Sequence, residues 1–432
     1  MHQMNKKLLF ILTLFTSFFA FSQKFDTADH AQRKAFLADY QLINKNYEQY
    51  IKSKYPSDIA KDLVKSYSVF QTAFKKEVQD RNYYTKSIFN AYIEGLVAKL
   101  RVYNSNIPSN LKILIAKDNV PNAFMTGDGI LVVNMGLFMW MENEDQLMAI
   151  LGHEIAHNLL HHSIEWQAKG LIATKNSKEK ISAIKKSKTG KSEKAFQLFR
   201  DLAYTTSTER RKNEIQADSL GYIIYRNHNK KVREYTKALR NLEEFDTISP
   251  TVVQKETYRE LFDLPQAPFQ DKWMKMEDFS AYNYHQFKTK LDKDSLSSHP
   301  EIVDRLNFLQ TKFHELKGEN TKAEEPSEGF LHLRSIAINE IHPNLFHNEN
   351  YGEGVYVAMQ FLQDKRDTTY HSQWLGKYFD KMVEARKTYR LNRYLDTIDP
   401  KNQSESYQQF LSFMWNLSLT DLQKIADYYR KG

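Results

Sequence analysis

The chain of 432 residues contains no cysteine. That excludes disulfides, thiolate metal ligands and a lipidated cysteine after a leader, so stability has to come from buried side chains. A chain without thiols also has nothing to mispair in an oxidising compartment. Long apolar runs are missing from the body of the sequence. The one apolar stretch near the start, Leu8 to Phe21, is shorter than the roughly 20 residues of a membrane span. It follows Lys6 and Lys7 and ends on the small residues Ala20 and Ser22, the pattern of a secretory signal over residues 1–22 with cleavage near Ser22. The mature chain is therefore expected to be exported, to the periplasm or cell envelope or beyond. The formal charge is +8, yet no nucleic-acid-binding motif is present and export argues against such a partner.

The most informative segment is His153-Glu154-Ile155-Ala156-His157. Residues four apart stack on one face of an α-helix, so two imidazoles can share one metal while Glu154, one step round, reaches a water on it. Leu147, Ile150, Leu151 and Ile155 give the surrounding run from Met141 to Leu160 a buried helical face. A catalytic zinc usually takes three protein ligands, so one more is required. A third histidine ten residues after the first, with glycine at seven, is absent: those places hold Ser163 and Leu160, and His161 and His162 are out of register.

Glu214, 57 positions after His157 (214 − 157), is the better candidate. It lies on a second expected helix, Asn213 to Tyr222, with Asp218 one turn later on the same face and Ala217 between them to allow close approach. Asp218 suits the free N–H of a metal-bound imidazole. Further on, Ser298-His299-Pro300 opens a helix that carries Arg305. His299 suits either a hydrogen bond to an oxyanion or the fourth metal position of a resting enzyme. His342-Pro343 lacks the arginine and reads as a turn. Upstream, Asn122 to Leu137 reads as strand, glycine turn, strand and helix start, with Gly127 and Gly129 in the turn and Ile130 and Val132 on a strand able to pair with an extended peptide.

These stretches, in this order, resemble the zinc metallopeptidase family that includes the CAAX prenyl protease, HtpX and the periplasmic BepA and LoiP type. The resemblance rests on Asn122-Ala123-Phe124 with Gly127 to Gly136, His153-Glu154-x-x-His157, Glu214-x-x-Ala217-Asp218 and Ser298-His299-Pro300 with Arg305. It implies a gluzincin-like core holding one zinc ion on His153, His157 and Glu214, with Glu154 as base and Asp218, His299 and Arg305 in support. It also implies protein or peptide substrates and a role in quality control of misfolded envelope proteins. The lack of long hydrophobic spans fits the soluble branch. The rival expectation is a latent or inactive zinc-binding, chaperone-like envelope protein.

The expected fold is α+β and mostly helical: a helical N-terminal region over 23–105, a zincin-like core with a small sheet over 106–316, a linker over 317–329 and a helical accessory domain over 330–432. Leu111 to Lys117 reads as a strand, and Ser57 or Asp58 as the cap of a helix after Pro56. The lysine-rich Lys169 to Lys194 suits a solvated helical hairpin, a flap or a contact with anionic lipid, the solvated form being favoured. No fixed repeat period is readable in the C-terminal helices.

Overall fold

The computed structural model describes residues 29–186, 191–228, 231–247, 252–276, 302–317, 323–399 and 403–431. The expected signal, residues 1–22, and Ser298, His299 and Pro300 lie outside these. Two long helices lead in, α1 (His30–Lys54) and α2 (Ser57–Gln79). The residue flanking α2 is Pro56, and neither Ser57 nor Asp58 caps the helix as expected. The short β1 (Tyr83–Tyr84), α3 (Ile88–Val102) and β2 (Lys112–Ala116) follow, then β3 (Ala123–Met125), β4 (Ile130–Asn134) and α4 (Gly136–Trp140).

The strands form one mixed sheet in the order β1-β2-β4-β3, with β2 and β4 parallel and the two outer pairs antiparallel. Side chains alternate across a strand, so each strand here feeds two cores. Ile113, Ile115, Leu131 and Val133 pack with α3 and the helices that follow it, whereas Leu114, Ala116, Ile130 and Val132 pack with Phe36, Tyr40, Phe74 and Val78 of α1 and α2. A sheet covered on both faces explains why β4 reads as an unbroken apolar run.

Next come α5 (Glu144–Leu159), α6 (His162–Asn176), α7 (Lys178–Lys186), α8 (Lys191–Asn227) and α9 (Val232–Thr247). α5 starts three residues later than the apolar pattern suggests, because Asn143 is extended and its side chain accepts from the Gln146 N–H at 3.0 Å. Glu144 and Asp145 complement the positive end of the helix dipole. Lys169 and Lys175 of the lysine-rich stretch are tied down, to Glu209 at 2.5 Å and to Asp58 and Asp62 at 2.9 and 3.1 Å.

The remaining helices are α10 (Lys255–Phe262), α11 (Ile302–Lys312), α12 (Glu328–Asn339), α13 (Ile341–His347), α14 (Tyr351–Gln363), α15 (Thr368–Lys387), α16 (Glu405–Asn416) and α17 (Leu419–Tyr429). The last expected helix, Ser406 to Arg430, is two helices, divided at Ser418 by a reciprocal cap with Asp421. His342-Pro343 is not a turn but lies within α13, where proline fits the first helical turn. His342 is buried, 2.8 Å from His371 and 3.1 Å from the Tyr378 hydroxyl.

The cores divide the chain differently from the expected boundaries. Val253, Tyr258, Phe262, Leu264, Ala267 and Trp273, expected in the metallopeptidase core, join the apolar cluster built by Ile341 to Tyr429. Conversely, Phe330, Leu333 and Ala337 of α12, expected in the accessory unit, pack into the cluster around α3, α5 and α8. The physical reason is contact across sequence: an amphipathic helix shows that it has a partner, not which one.

Candidate metal centre and cleft

α5 and α8 cross at glycines. A methyl group on Gly221 would sit 2.7 Å from the His153 Cα, and one on Gly152 would sit 3.1 Å from the Gly221 carbonyl oxygen. Only the missing Cβ lets the backbones approach this closely, so Gly221, rather than Ala217 alone, sets the helix separation. The crossing brings Glu214 and Asp218 of α8 against His153 and His157 of α5.

The two Nε2 atoms lie 3.0 Å apart, and Glu214 places Oε2 3.5 Å from His153 Nε2 and Oε1 3.5 Å from His157 Nε2. One ligand atom from each of the three residues lies within 4.8 Å of the others. A tetrahedral ion with bonds of about 2.0–2.1 Å separates its ligand atoms by about 3.3 Å. The three donors therefore fit a metal ion without rearrangement, and two nitrogens with a carboxylate suit a borderline-soft divalent cation.

Both imidazoles are oriented through their far nitrogens. His153 Nδ1 lies 2.9 Å from Asp218 Oδ1, a carboxylate contact that favours the ring proton on Nδ1 and leaves Nε2 to face a metal. Fully buried Asp218 also accepts two bonds from Arg305, from Nε at 2.8 Å and Nη2 at 2.6 Å, and Arg305 Nη2 stands 3.7 Å from Glu214. Burial raises the carboxyl of Asp218, but the guanidinium and His153 more than offset it and hold the group near 2. Tyr235 of α9 donates to the Asp218 carbonyl oxygen at 2.9 Å.

His157 uses a residue that sequence spacing set aside. His161 adopts a left-handed conformation (φ 55°) between α5 and α6, and the turn folds His162 back until its Nδ1 is 3.0 Å from His157 Nδ1. With His157 Nε2 facing the metal position, its Nδ1–H donates to His162 Nδ1. His162 then carries its proton on Nε2 and donates to Gln216 Oε1 at 3.2 Å. Burial disfavours charge on both His157 and His153, yet the carboxylates of Asp218 and Glu214 raise His153 while His157 stays depressed. Metal uptake needs both rings neutral at Nε2, so it displaces that proton.

Glu154, one step round the helix from His153, reaches towards β3, where the Met125 backbone N–H donates to its carboxylate. Burial, reinforced by the charge of Glu214, lifts its carboxyl to about 7 against the opposing pull of His153, Met125 and Arg305. A cleft of about 820 Å³ opens here, walled by Val120 to Gly127 on one side and by Asn158, Trp166 and Arg210 on the other.

The sheet corrects the expected pairing strand. β4 is flanked by β2 and β3, so Ile130 and Val132 are interior and fully buried, while Gly129 (φ 90°) serves only the turn. Of the two edge strands, β1 and β3, it is β3 that borders the cleft. Its ladder runs through Asn122, Phe124 and Thr126, which leaves the main-chain groups of Ala123 and Met125 directed away from β4. Gly127 borders the cleft but lies past the end of β3.

His153, Glu154, His157, Glu214 and Arg305 thus converge on one cleft and Asp218 lies directly behind it, while His299 lies outside the described residues. The sequence model of peptidase family M48 matches residues 79–312, more than half of the chain. A putative beta-barrel assembly-enhancing protease of Vibrio cholerae is 30% identical over 90 residues. That stretch covers 20% of this chain and 19% of the relative, so the chain matches about a fifth of the relative's length.

Proposed function

The chain belongs to peptidase family M48, and from that premise we propose that it is an exported zinc endopeptidase acting on misfolded or envelope proteins. The observation that carries the reading is the convergence of His153, His157 and Glu214 beside Glu154 in an open cleft. Among the described residues no helix is long and apolar enough to cross a membrane.

His153, His157 and Glu214 would hold a zinc ion, which would supply Lewis acidity to the attacking water and the scissile carbonyl. The chain's own residues do the rest. Glu154 accepts the proton of the attacking water and returns it to the leaving amine nitrogen. Asp218 and the His162–Gln216 relay keep each ligand imidazole in the tautomer that presents Nε2. Arg305 holds Asp218 ionised. An extended substrate pairs with the open edge of β3 at Ala123 and the Met125 carbonyl, using main-chain bonds that do not depend on its sequence. His299 has the role of oxyanion donor or of fourth ligand in a latent form. Ile302, three positions after it, borders the cleft.

The test is degradation of an unfolded protein by the purified chain. Cleavage should stop on treatment with a zinc chelator and return on adding about one equivalent of zinc per chain. Cleavage that persists after the metal has been stripped contradicts the proposal.

A further inference from the structure

We propose that the cleft holds a carboxylate-binding subsite built on Arg210, which selects peptide substrates bearing an acidic side chain or a free terminal carboxylate near the scissile bond. The inference rests on the peptidase reading and adds a substrate class to it.

Arg210 precedes Glu214 by one turn of α8, a rise of about 6 Å along the axis on the same face. It borders the same cleft as the metal ligands. Its guanidinium lies 4.2 Å from the ring centroid of Trp166 on α6. Stacking on an indole holds the planar group in place while its N–H edges stay available, so little rotamer entropy remains to be lost when a ligand binds. The Arg210 side chain is exposed and Trp166 only half-buried.

The charge is also unspent. Among the described residues no carboxylate pairs with Arg210, since the adjacent Glu209 is engaged by Lys169 at 2.5 Å. The other guanidinium bordering the cleft, Arg305, is committed to Asp218. Arg211 and Lys212 follow Arg210 in sequence and add to the positive field at this end. Asn158 and Asn213, also on the cleft wall, offer amide donors close by. A fixed fork of N–H groups in a cleft whose other wall is largely apolar, with Phe124 and Met125, matches a planar carboxylate.

The experiment uses quenched fluorescent peptides of one scaffold. Glutamate replaces glutamine at successive positions on either side of the cut, and each peptide is made with a free and with an amidated C-terminus. The wild-type chain should cleave the carboxylate form about 10- to 100-fold more efficiently at one position, as expected of a charge-assisted contact. Arg210→Gln should erase that preference by slowing cleavage of the acidic peptide while leaving its neutral counterpart unchanged. Arg210→Lys, which keeps the charge without the planar fork, should restore part of it. An effect at an internal position identifies a side chain, and an effect confined to the free C-terminus identifies the terminal carboxylate.

A purely structural role for the Arg210–Trp166 stack would slow both peptides equally. That result, or a wild-type chain indifferent to glutamate and to amidation, overturns the subsite and leaves the peptidase reading standing. Failure to cut any peptide or unfolded protein contradicts both.

Discussion

Glu154→Gln is expected to lower turnover by at least about 10³-fold with metal content and thermal stability unchanged, within the range of general-base effects. The amide keeps the shape of the side chain and remains within reach of the Met125 main chain, but it cannot accept a proton from the nucleophile. Glu154 is one step round α5 from His153 and faces β3, whereas His153 and His157 face α8, so the replacement touches none of the ligand atoms. Steady-state cleavage of one unfolded substrate by both proteins, each assayed for metal, checks this. A Glu154→Gln protein that cuts at the parental rate removes Glu154 from the mechanism.

Asp218→Ala should be the most damaging change to stability. Asp218 is fully buried, accepts both bonds of the Arg305 fork and lies 2.9 Å from His153 Nδ1. Its removal leaves a buried guanidinium without a counter-ion, a fault that costs about 3–5 kcal/mol. In a domain of this size that is a fall in melting temperature of roughly 10 °C. His153 also loses the acceptor that fixes its tautomer, so metal affinity should drop about 10- to 100-fold. Removing both charges, as Asp218→Asn with Arg305→Met, should cost less than the single change, because no buried ion is then left alone. Thermal unfolding of the parent and these two variants decides it: a single variant as stable as the parent, or a double variant worse than the single, contradicts the assigned ion pair.

The centre was legible because its chemistry repeats with the helix. His153 and His157 are one turn apart, as are Glu214 and Asp218, and a pair of residues on one face of each helix can be read without knowing the fold. What escaped depends on two elements meeting. Gly221 is unremarkable until the His153 backbone lies against it. His162 is out of register on a continuous helix and reaches His157 only because His161 adopts a positive φ. The hairpin was readable from Gly127 and Gly129, but a lone pair of strands does not reveal which edge a third will cover. β2 took the β4 edge, so Ile130 and Val132 are interior and the edge strand bordering the cleft is β3. The same holds for the domains: Tyr258 and Phe262 show an apolar helical face, yet nothing local says that α16 is its partner, as Phe413 proves to be.

The central claim is that His153, His157 and Glu214 hold one metal ion. It is tested most directly by elemental analysis of the natively purified chain beside Glu214→Ala. The account predicts about one zinc per parent chain and a large loss in the variant. A parent without zinc, or a Glu214→Ala protein that keeps its full complement, would contradict it.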